Sequence, residues 1–482
     1  MRDFRSVFNI IGMLLCIEAL AMLIPMVIDI LYNNSDWQIF FFTSLTTFFI
    51  GLVLYFSFRH KKNIIKVREA FFLTIISWIL IAVFASLPFI YSSSNLNYSN
   101  AFFESISGIT TTGATVILNL DMLNEGILIW RSLLQWFGGI GIIVLALAIL
   151  PTLQIGGMQL LHMEHDDPYE KTLPKINQFV FEIFLIYLIL TFICSLLYFM
   201  SGMSVFDAIA HAMTTISTGG FSTHNTSLAY FNSFNIESVS ILFMIIGSLP
   251  FVIFLKMAHG EWKTLFKDDQ IKLFFLILLF LVVITTYWLK QNYHENVLYS
   301  LRITTFNITS ILTGTGYTSS NYGMWGGFGL VVMLFIMFIG GCAGSTTGGI
   351  KIFRLQLLFR GAKTQIKKLT HPHGVFVTTF NDKTVGENTF NSIMGFFFMY
   401  ILTFIFSTIL LSFFNLDFIT SLSAAASAIS NVGPGLGSII GPTGNYASIP
   451  NEAKWILSIT MLIGRLELFT FLVLLSVSFW KK

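Results

Sequence analysis

The sequence predicts an all-α integral membrane protein of ten transmembrane helices. Four pseudo-symmetric repeats, each a span, a short half-membrane helix, a polar loop and a second span, surround one axis and follow two extra N-terminal spans. Three observations carry this expectation. The 482 residues are 55% hydrophobic and only 11% charged, with a mean hydropathy of +0.77, whereas soluble globular chains carry about 25% charged residues. Ten apolar runs are long enough to cross a hydrocarbon core, which takes roughly 17 to 25 residues. A short Thr/Gly phrase recurs four times between them, as TTTGATVILNL, STGGFST, TGTGYTSS and SNVGPGLG.

The runs lie at about 7–31, 38–58, 70–91, 128–151, 178–200, 236–257, 272–289, 327–350, 391–414 and 455–480. The first follows Arg2 and Arg5 but contains Glu18, is too long for a signal h-region and shows no small-residue cleavage site, so it reads as a span. Ten spans put both termini on one side. The segments on that side hold 22 of the 27 basic residues, leaving only Arg131, Lys290, Arg302, Lys454 and Arg465, which makes it the cytoplasmic side of a cell (inner) membrane. Cys16, Cys194 and Cys342 all fall inside apolar spans, so no disulfide framework or Cys-based metal site is suggested. The net charge of +3 restates the basic inner loops and says nothing of nucleic acid; the expected surroundings are membrane lipids, with no nucleic-acid partner.

Each polar phrase falls on the outside and follows a semi-apolar segment too short to span: YSNAFFESISGI, VFDAIAHAMTTI, YSLRITTFNITSI and LDFITSLSAAASAI. The repeating unit divides the chain into two extra spans (1–66), a first repeat (67–157), a second (170–260), a third (268–360), a cytoplasmic basic linker (361–388) and a fourth repeat (389–482). Aligned on the loops, the units give Thr111-Thr112-Gly113, Ser217-Thr218-Gly219, Gly314-Thr315-Gly316 and Asn431-Val432-Gly433. Repeats at a large, nearly constant period argue for duplicated units about an axis.

Non-helical backbone at membrane depth is tolerated only where protein buries it or where it lines a water-filled cavity. Four loops meeting on one axis satisfy that condition. Glycine permits positive φ, so consecutive carbonyls can turn into a central path and replace an ion's hydration shell. Thr and Ser hydroxyls add neutral oxygens, and no carboxylate occurs in the four triplets, which favours a monovalent over a divalent cation.

The four-hairpin plan with these triplets resembles the Trk/Ktr/HKT superfamily of potassium transporters, and the two extra spans make it most similar to the TrkH branch. The likeness covers essentially the whole chain. It implies potassium uptake, with K+ and Rb+ passing inward through a filter centred on Gly113, Gly219, Gly316 and Gly433. It also implies a homodimer with one pore per protomer, opened by a cytosolic TrkA-type ring that alone binds nucleotide. Gly rather than Ser in each loop implies potassium over sodium in such proteins. No enzyme activity is expected, since no nucleophile and base converge in the spans.

The span beginning near Gly327 carries GGCAGSTTGGIK, in which five of the ten residues from Gly340 to Gly349 are glycine. Each helical Gly costs about 0.8 to 1 kcal/mol relative to Ala, so a break is expected there. The resemblance implies a loop of Gly340, Gly341, Gly344, Ser345, Thr346, Thr347, Gly348 and Gly349 that obstructs the pore below the filter, with Lys351 near the inner mouth. Arg465 stands inside an apolar run, where a charge faces a cavity or a partner. The resemblance implies that it projects into the pore; a structural ion pair with another helix is the alternative. Glu467, two residues on, faces elsewhere and should not pair with it.

Three weaker candidates remain. His162, Glu164, His165, Asp166 and Asp167 form a metal-like cluster in a short inner loop, where a solvated surface is the plainer reading. Glu104 and Asp207, on the first two short helices, either set the outer electrostatic field or cap and anchor those helices, with anchoring the favoured reading. Lys351, Arg354, Arg360, Lys363, Lys367, Lys368 and Lys383 make a basic inner segment suited to anionic lipid or to a docked regulator. No Walker or dinucleotide motif occurs, so nucleotide sensing must lie on another chain. A competing function is the K+-binding subunit of an ATP-driven Kdp-type pump, which shares the four-hairpin plan.

Overall fold

The computed structural model describes residues 4–59, 67–145, 173–293, 296–381 and 383–481. Among the described residues its regular structure is helical apart from a two-stranded antiparallel ribbon, Thr379–Phe380 with Lys383–Thr384, and a single parallel bridge between Ile339 and Ile350. Among the described residues seven helical segments are long and apolar enough to cross a membrane: Arg5–Leu31, Trp37–Ser57, Val67–Tyr91, Glu125–Val144, Gln178–Met200, Asp269–Tyr293 and Glu387–Ser412.

The other three expected spans are not straight rods. Phe234–Ser248 and Phe251–Ala258 meet at 94°, and Asn451–Arg465 and Leu468–Leu475 at 114°. The first bend falls at Leu249-Pro250, where proline lacks an N–H and disfavours helical backbone in the residue before it. The second passes through Glu467, whose φ of 62° is unusual for a residue with a Cβ. The run expected at 327–350 is a helix only over Gly326–Met337, and helix resumes at Ile352–Thr370. The break therefore takes in the whole glycine-rich stretch, and the later helix runs through the expected repeat boundary at 360/361.

The first two spans, Arg5–Leu31 and Trp37–Ser57, pack on each other through glycine. A Cβ on Gly12 would lie 2.7 Å from the Gly51 carbonyl, and one on Gly51 2.8 Å from Cys16 Sγ. They dock on the first repeat through buried carboxylates. Asp29 accepts from Gly126 N (2.8 Å) at the start of Glu125–Val144, and Asp36 accepts from Asn124 Nδ2 (2.9 Å) and Ser93 N (3.0 Å). The Asp29 side chain thus satisfies one of the amides that begin this helix and have no partner within it.

Candidate functional site

Four short helices converge on the centre: Tyr98–Ile109, Val205–Ile216, Val297–Leu312 and Phe418–Ser430. The first two match the expected segments residue for residue. Each begins with a side chain that accepts from a first-turn amide: Asn97 from Asn100 N, Ser204 from Asp207 N, Asn296 from Leu298 N and Asp417 from Thr420 N. Their C-termini run directly into the four loops, so the negative ends of four helix dipoles lie beside them.

The loops share one backbone pattern. A residue with positive φ (Thr111 51°, Thr218 50°, Gly314 69°, Asn431 55°) is followed two positions on by a glycine with positive φ (Gly113 83°, Gly220 75°, Gly316 83°, Gly433 104°). The amides of Thr112, Gly219, Thr315 and Val432 donate to the carbonyls of Ser107, Thr214, Ser310 and Ser427 at 2.8 to 3.0 Å. This pairing corrects the alignment of the second loop. Its equivalent triplet is Thr218-Gly219-Gly220, and Ser217 is the C-cap of the helix before it, as Thr110 and Thr313 are in the first and third units. Gly219 takes the middle place, and Gly220 takes the place expected for Gly219.

The third glycines close a ring. A Cβ on Gly113 would strike the carbonyl oxygen of Gly219, on Gly220 that of Thr315, on Gly316 that of Val432, and on Gly433 that of Thr112 at 2.6 Å. Each loop therefore lies against the next in a closed cycle of four, so close that only glycine fits. Gly113, Gly220, Gly316 and Gly433 also line one outer cavity together with Arg131 and Tyr446. Behind the loops, where the Thr111 and Asn431 side chains face Gly138 and Gly464, Thr111 Oγ1 and Asn431 Oδ1 are buried with no hydrogen-bond partner among the described residues. Neutral oxygens and backbone carbonyls at this density suit a partly dehydrated monovalent cation.

Outside the ring the loops are held by buried polar side chains. Glu104 does not cap its helix; it is wholly buried and ties the first loop down. It pairs with Arg131 (2.9 Å) and accepts from Val116 N (2.9 Å) and Thr115 Oγ1 (3.0 Å). Arg131 also donates to Ser222 O in the second loop (2.8 Å). Asp207 accepts from Thr223 Oγ1 (2.7 Å), an anchoring role that adds to its place in the first helical turn. Tyr446 donates to Gly433 O (2.8 Å). Arg131 and Gln135, four residues apart on one helical face, had no role assigned from sequence. The available signal was two polar residues one turn apart in an apolar run.

Beneath the ring the glycine-rich loop and the first bend complete each other's backbone bonding. Cys342 N and Thr346 N donate to Ser248 O (2.9 Å) and Gly247 O (3.2 Å), the last carbonyls of one helix, and Phe251 N at the start of the next donates to Gly344 O (3.0 Å). Thr346 reaches the ring's underside, its hydroxyl contacting Thr218 Oγ1 (3.1 Å) and Ile216 O (3.1 Å). Gly340 and Gly348 pack without a side chain against the Gly348 and Ser430 carbonyls respectively. Gly349 takes φ 65°, and Gly341 N donates to Thr347 Oγ1 (3.0 Å), which also contacts Ser345 Oγ (2.9 Å).

Arg465 donates through Nη1 to Thr346 O (2.9 Å), while its Nε and Nη2 are buried without hydrogen-bond partners among the described residues. Among those residues it makes no ion pair. Glu467 instead pairs with Arg354 (2.8 Å), whose guanidinium lies 3.8 Å from the Phe396 ring centre. Buried Lys351 folds back onto the Thr347 carbonyl and hydroxyl. The His162 to Asp167 cluster lies outside the described residues. The basic inner segment forms the helix Ile352–Thr370, with Phe359, Ile366 and Leu369 exposed beside its lysines.

A family model described as "TrkH: Cation transport protein" matches residues 37–482. The chain is 38% identical to the Trk system potassium uptake protein TrkI of Halomonas elongata, over 100% of this chain and 98% of the relative. It is 38% identical to TrkH of Escherichia coli K12, over 99% and 100% respectively. The crystal structure of the potassium transporter TrkH from Vibrio parahaemolyticus superposes with a TM-score of 0.93 at 35% identity, covering 100% of both chains. With a ring of glycine-lined loops at its centre and a likeness extending over its whole length, this multi-pass membrane chain belongs to the TrkH family of cation transport proteins.

Proposed function

We propose that this protein is the pore-forming membrane subunit of a Trk-type potassium uptake system, passing K+ and Rb+ inward through the four-loop ring. The observation that carries this reading is the closed cycle in which Gly113, Gly220, Gly316 and Gly433 each pack on the next loop's carbonyl. A cycle so constrained holds its oxygens at fixed separations, so an ion that matches them replaces its hydration shell without rearranging the protein. The relatives' names, which specify potassium uptake, favour this reading over the Kdp-type subunit.

In this reading ten membrane crossings form four hairpin repeats behind two extra spans, with both termini cytoplasmic in the inner membrane. The loop Gly340–Gly349 is the gate, closed here by its bonds to Gly247, Ser248 and Ile216. Arg465 sets a positive charge beside Thr346 and slows cations that pass the ring. A cytosolic TrkA-type ring docks on the basic helix Ile352–Thr370, which follows the gate directly, and draws it open. The protein acts as a homodimer, and nucleotide binds only to the partner.

The test is uptake of potassium, rubidium, sodium and lithium by the purified protein in liposomes, without nucleotide or proton gradient and then with a TrkA-type ring added. Uptake favouring potassium and rubidium is expected. Equal passage of all four ions, or silence in the presence of the ring and its nucleotide, rejects the reading.

A further inference from the structure

The four-loop ring is not chemically symmetric. Of the four carbonyls that receive the ring glycines, those of Thr112, Thr315 and Val432 accept no hydrogen bond among the described residues, whereas Gly219 O accepts one from Gln135 Nε2 at 2.7 Å. The same amide group accepts from Phe221 N through Oε1 at 3.0 Å. Gln135 is wholly buried and thus grips the second loop on both sides of its ring glycine, Gly220. A Cβ on Gly219 would run into the Gln135 carboxamide, so the glycine there makes room for this contact. One turn earlier on the same helix, Arg131 binds Ser222 O (2.8 Å) and lies 4.0 Å from the centre of the Phe221 ring, which holds the helix face against the loop.

We propose that Gln135 is a specificity-determining positioning residue: by clamping Gly219 and Phe221 it fixes the second loop's carbonyls at a separation suited to a large alkali cation. The inference rests on the four-loop ring being the potassium filter. A small ion such as sodium is well coordinated only if the oxygens close in, and the number and field strength of those oxygens set the preference. Gly219 O is tied to an amide outside the ring, so it cannot follow a smaller ion inward. The other three loops lack this restraint, and the second loop therefore limits how far the ring contracts. Gln135 does not itself touch the ion.

Gln135→Met keeps the length of the side chain and removes both hydrogen bonds. Gly219→Ala displaces the same carboxamide from the loop side and leaves Gln135 in place. In liposomes loaded with equal amounts of folded protein, each variant should lower the rubidium to sodium uptake ratio about three- to tenfold, the range expected if the net worth of about one hydrogen bond is lost from the discrimination. The rubidium rate of Gln135→Met should stay within about twofold of the parent. A folded variant of either kind that keeps the parental ratio overturns the proposal. So does a proportional loss of all cation uptake at an unchanged ratio, which marks a merely structural residue. If one variant fails to fold, the other decides. A parent protein that does not discriminate rubidium from sodium refutes the filter reading itself, and is thereby distinguished from failure of this inference.

Discussion

Replacing Gly220 with alanine tests the ring directly. Gly220 has φ 75°, and its Cβ would fall on the Thr315 carbonyl, with the carbonyl carbon only 2.8 Å away. Left-handed backbone costs a residue with a Cβ about 1–2 kcal/mol. The obstacle is backbone of the neighbouring loop rather than the end of a flexible side chain, so the second and third loops must part by about 1.5 Å to restore ordinary contact. Together the two terms place about 2–4 kcal/mol in this one joint. The cycle relieves them by opening, which moves carbonyls on both sides. Because 1.4 kcal/mol corresponds to a factor of ten, the rubidium to sodium uptake ratio should fall at least about tenfold.

The assay is tracer uptake into liposomes by equal amounts of folded protein, with Gly219→Ala measured in parallel. The Gly219 methyl meets the side chain of Gln135, its Nε2 at 2.9 Å. Adding Gln135→Ala should therefore leave the double variant no worse than Gln135→Ala alone, a non-additive result. Gly220→Ala should gain nothing from that second change. A Gly220→Ala protein with the parental ratio, beside a Gly219→Ala protein that has lost it beyond rescue, would refute the ring register and reinstate Ser217-Thr218-Gly219.

Three further outcomes are expected. Arg465→Ala removes the charge and the bond to Thr346 O in the glycine-rich loop, and under the proposed gating role should raise rubidium uptake severalfold; an unchanged or lower rate rejects that role. Glu104→Gln leaves Arg131 buried without its carboxylate and should cost about 3–5 kcal/mol of stability in a denaturation series, much of it recovered in the double variant with Arg131→Met. In the loop after the second short helix, His224 stacks on Tyr230 with its Nδ1 2.7 Å from Asp121 Oδ1 and its Nε2 3.6 Å from Asp207 Oδ1. Partial burial lowers the His224 pKa, but the neighbouring carboxylates of Asp207 and Asp121 outweigh it and hold the imidazole above its usual 6.5, while His211 lies nearby. Asp121 is held below its usual 3.8, because hydrogen bonds from His224 and Asn225 overcome its slight burial. The His224 contribution is thus complete below about pH 6.5 and lost as pH rises through its higher folded value; that of Asp121 is present above about pH 3.8 and lost on acidification. Thermal stability should fall from pH 6 to pH 9, and His224→Gln should flatten that dependence; an equal fall in the variant excludes the His224 tie.

The sequence by itself determined the membrane class, the order of spans and short helices, and the breakage of Gly340–Gly349. These are local matters, because hydropathy over a window, a capping residue before an apolar turn and five glycines in ten residues each act through neighbours in the chain. The short helices were legible almost to the residue, since Asn97 and Ser204 cap them. Only the tertiary structure decided which of two adjacent glycines in STGGFST closes the ring, because the choice depends on Thr315, a residue of another repeat. It likewise decided that Glu104 binds Arg131 rather than capping a helix, that Arg465 bonds to a carbonyl rather than a carboxylate, and that the last span bends by 114° at Glu467. Each of these outcomes depends on a contact between segments far apart in the chain, and a buried polar group takes whichever partner the packing brings within reach.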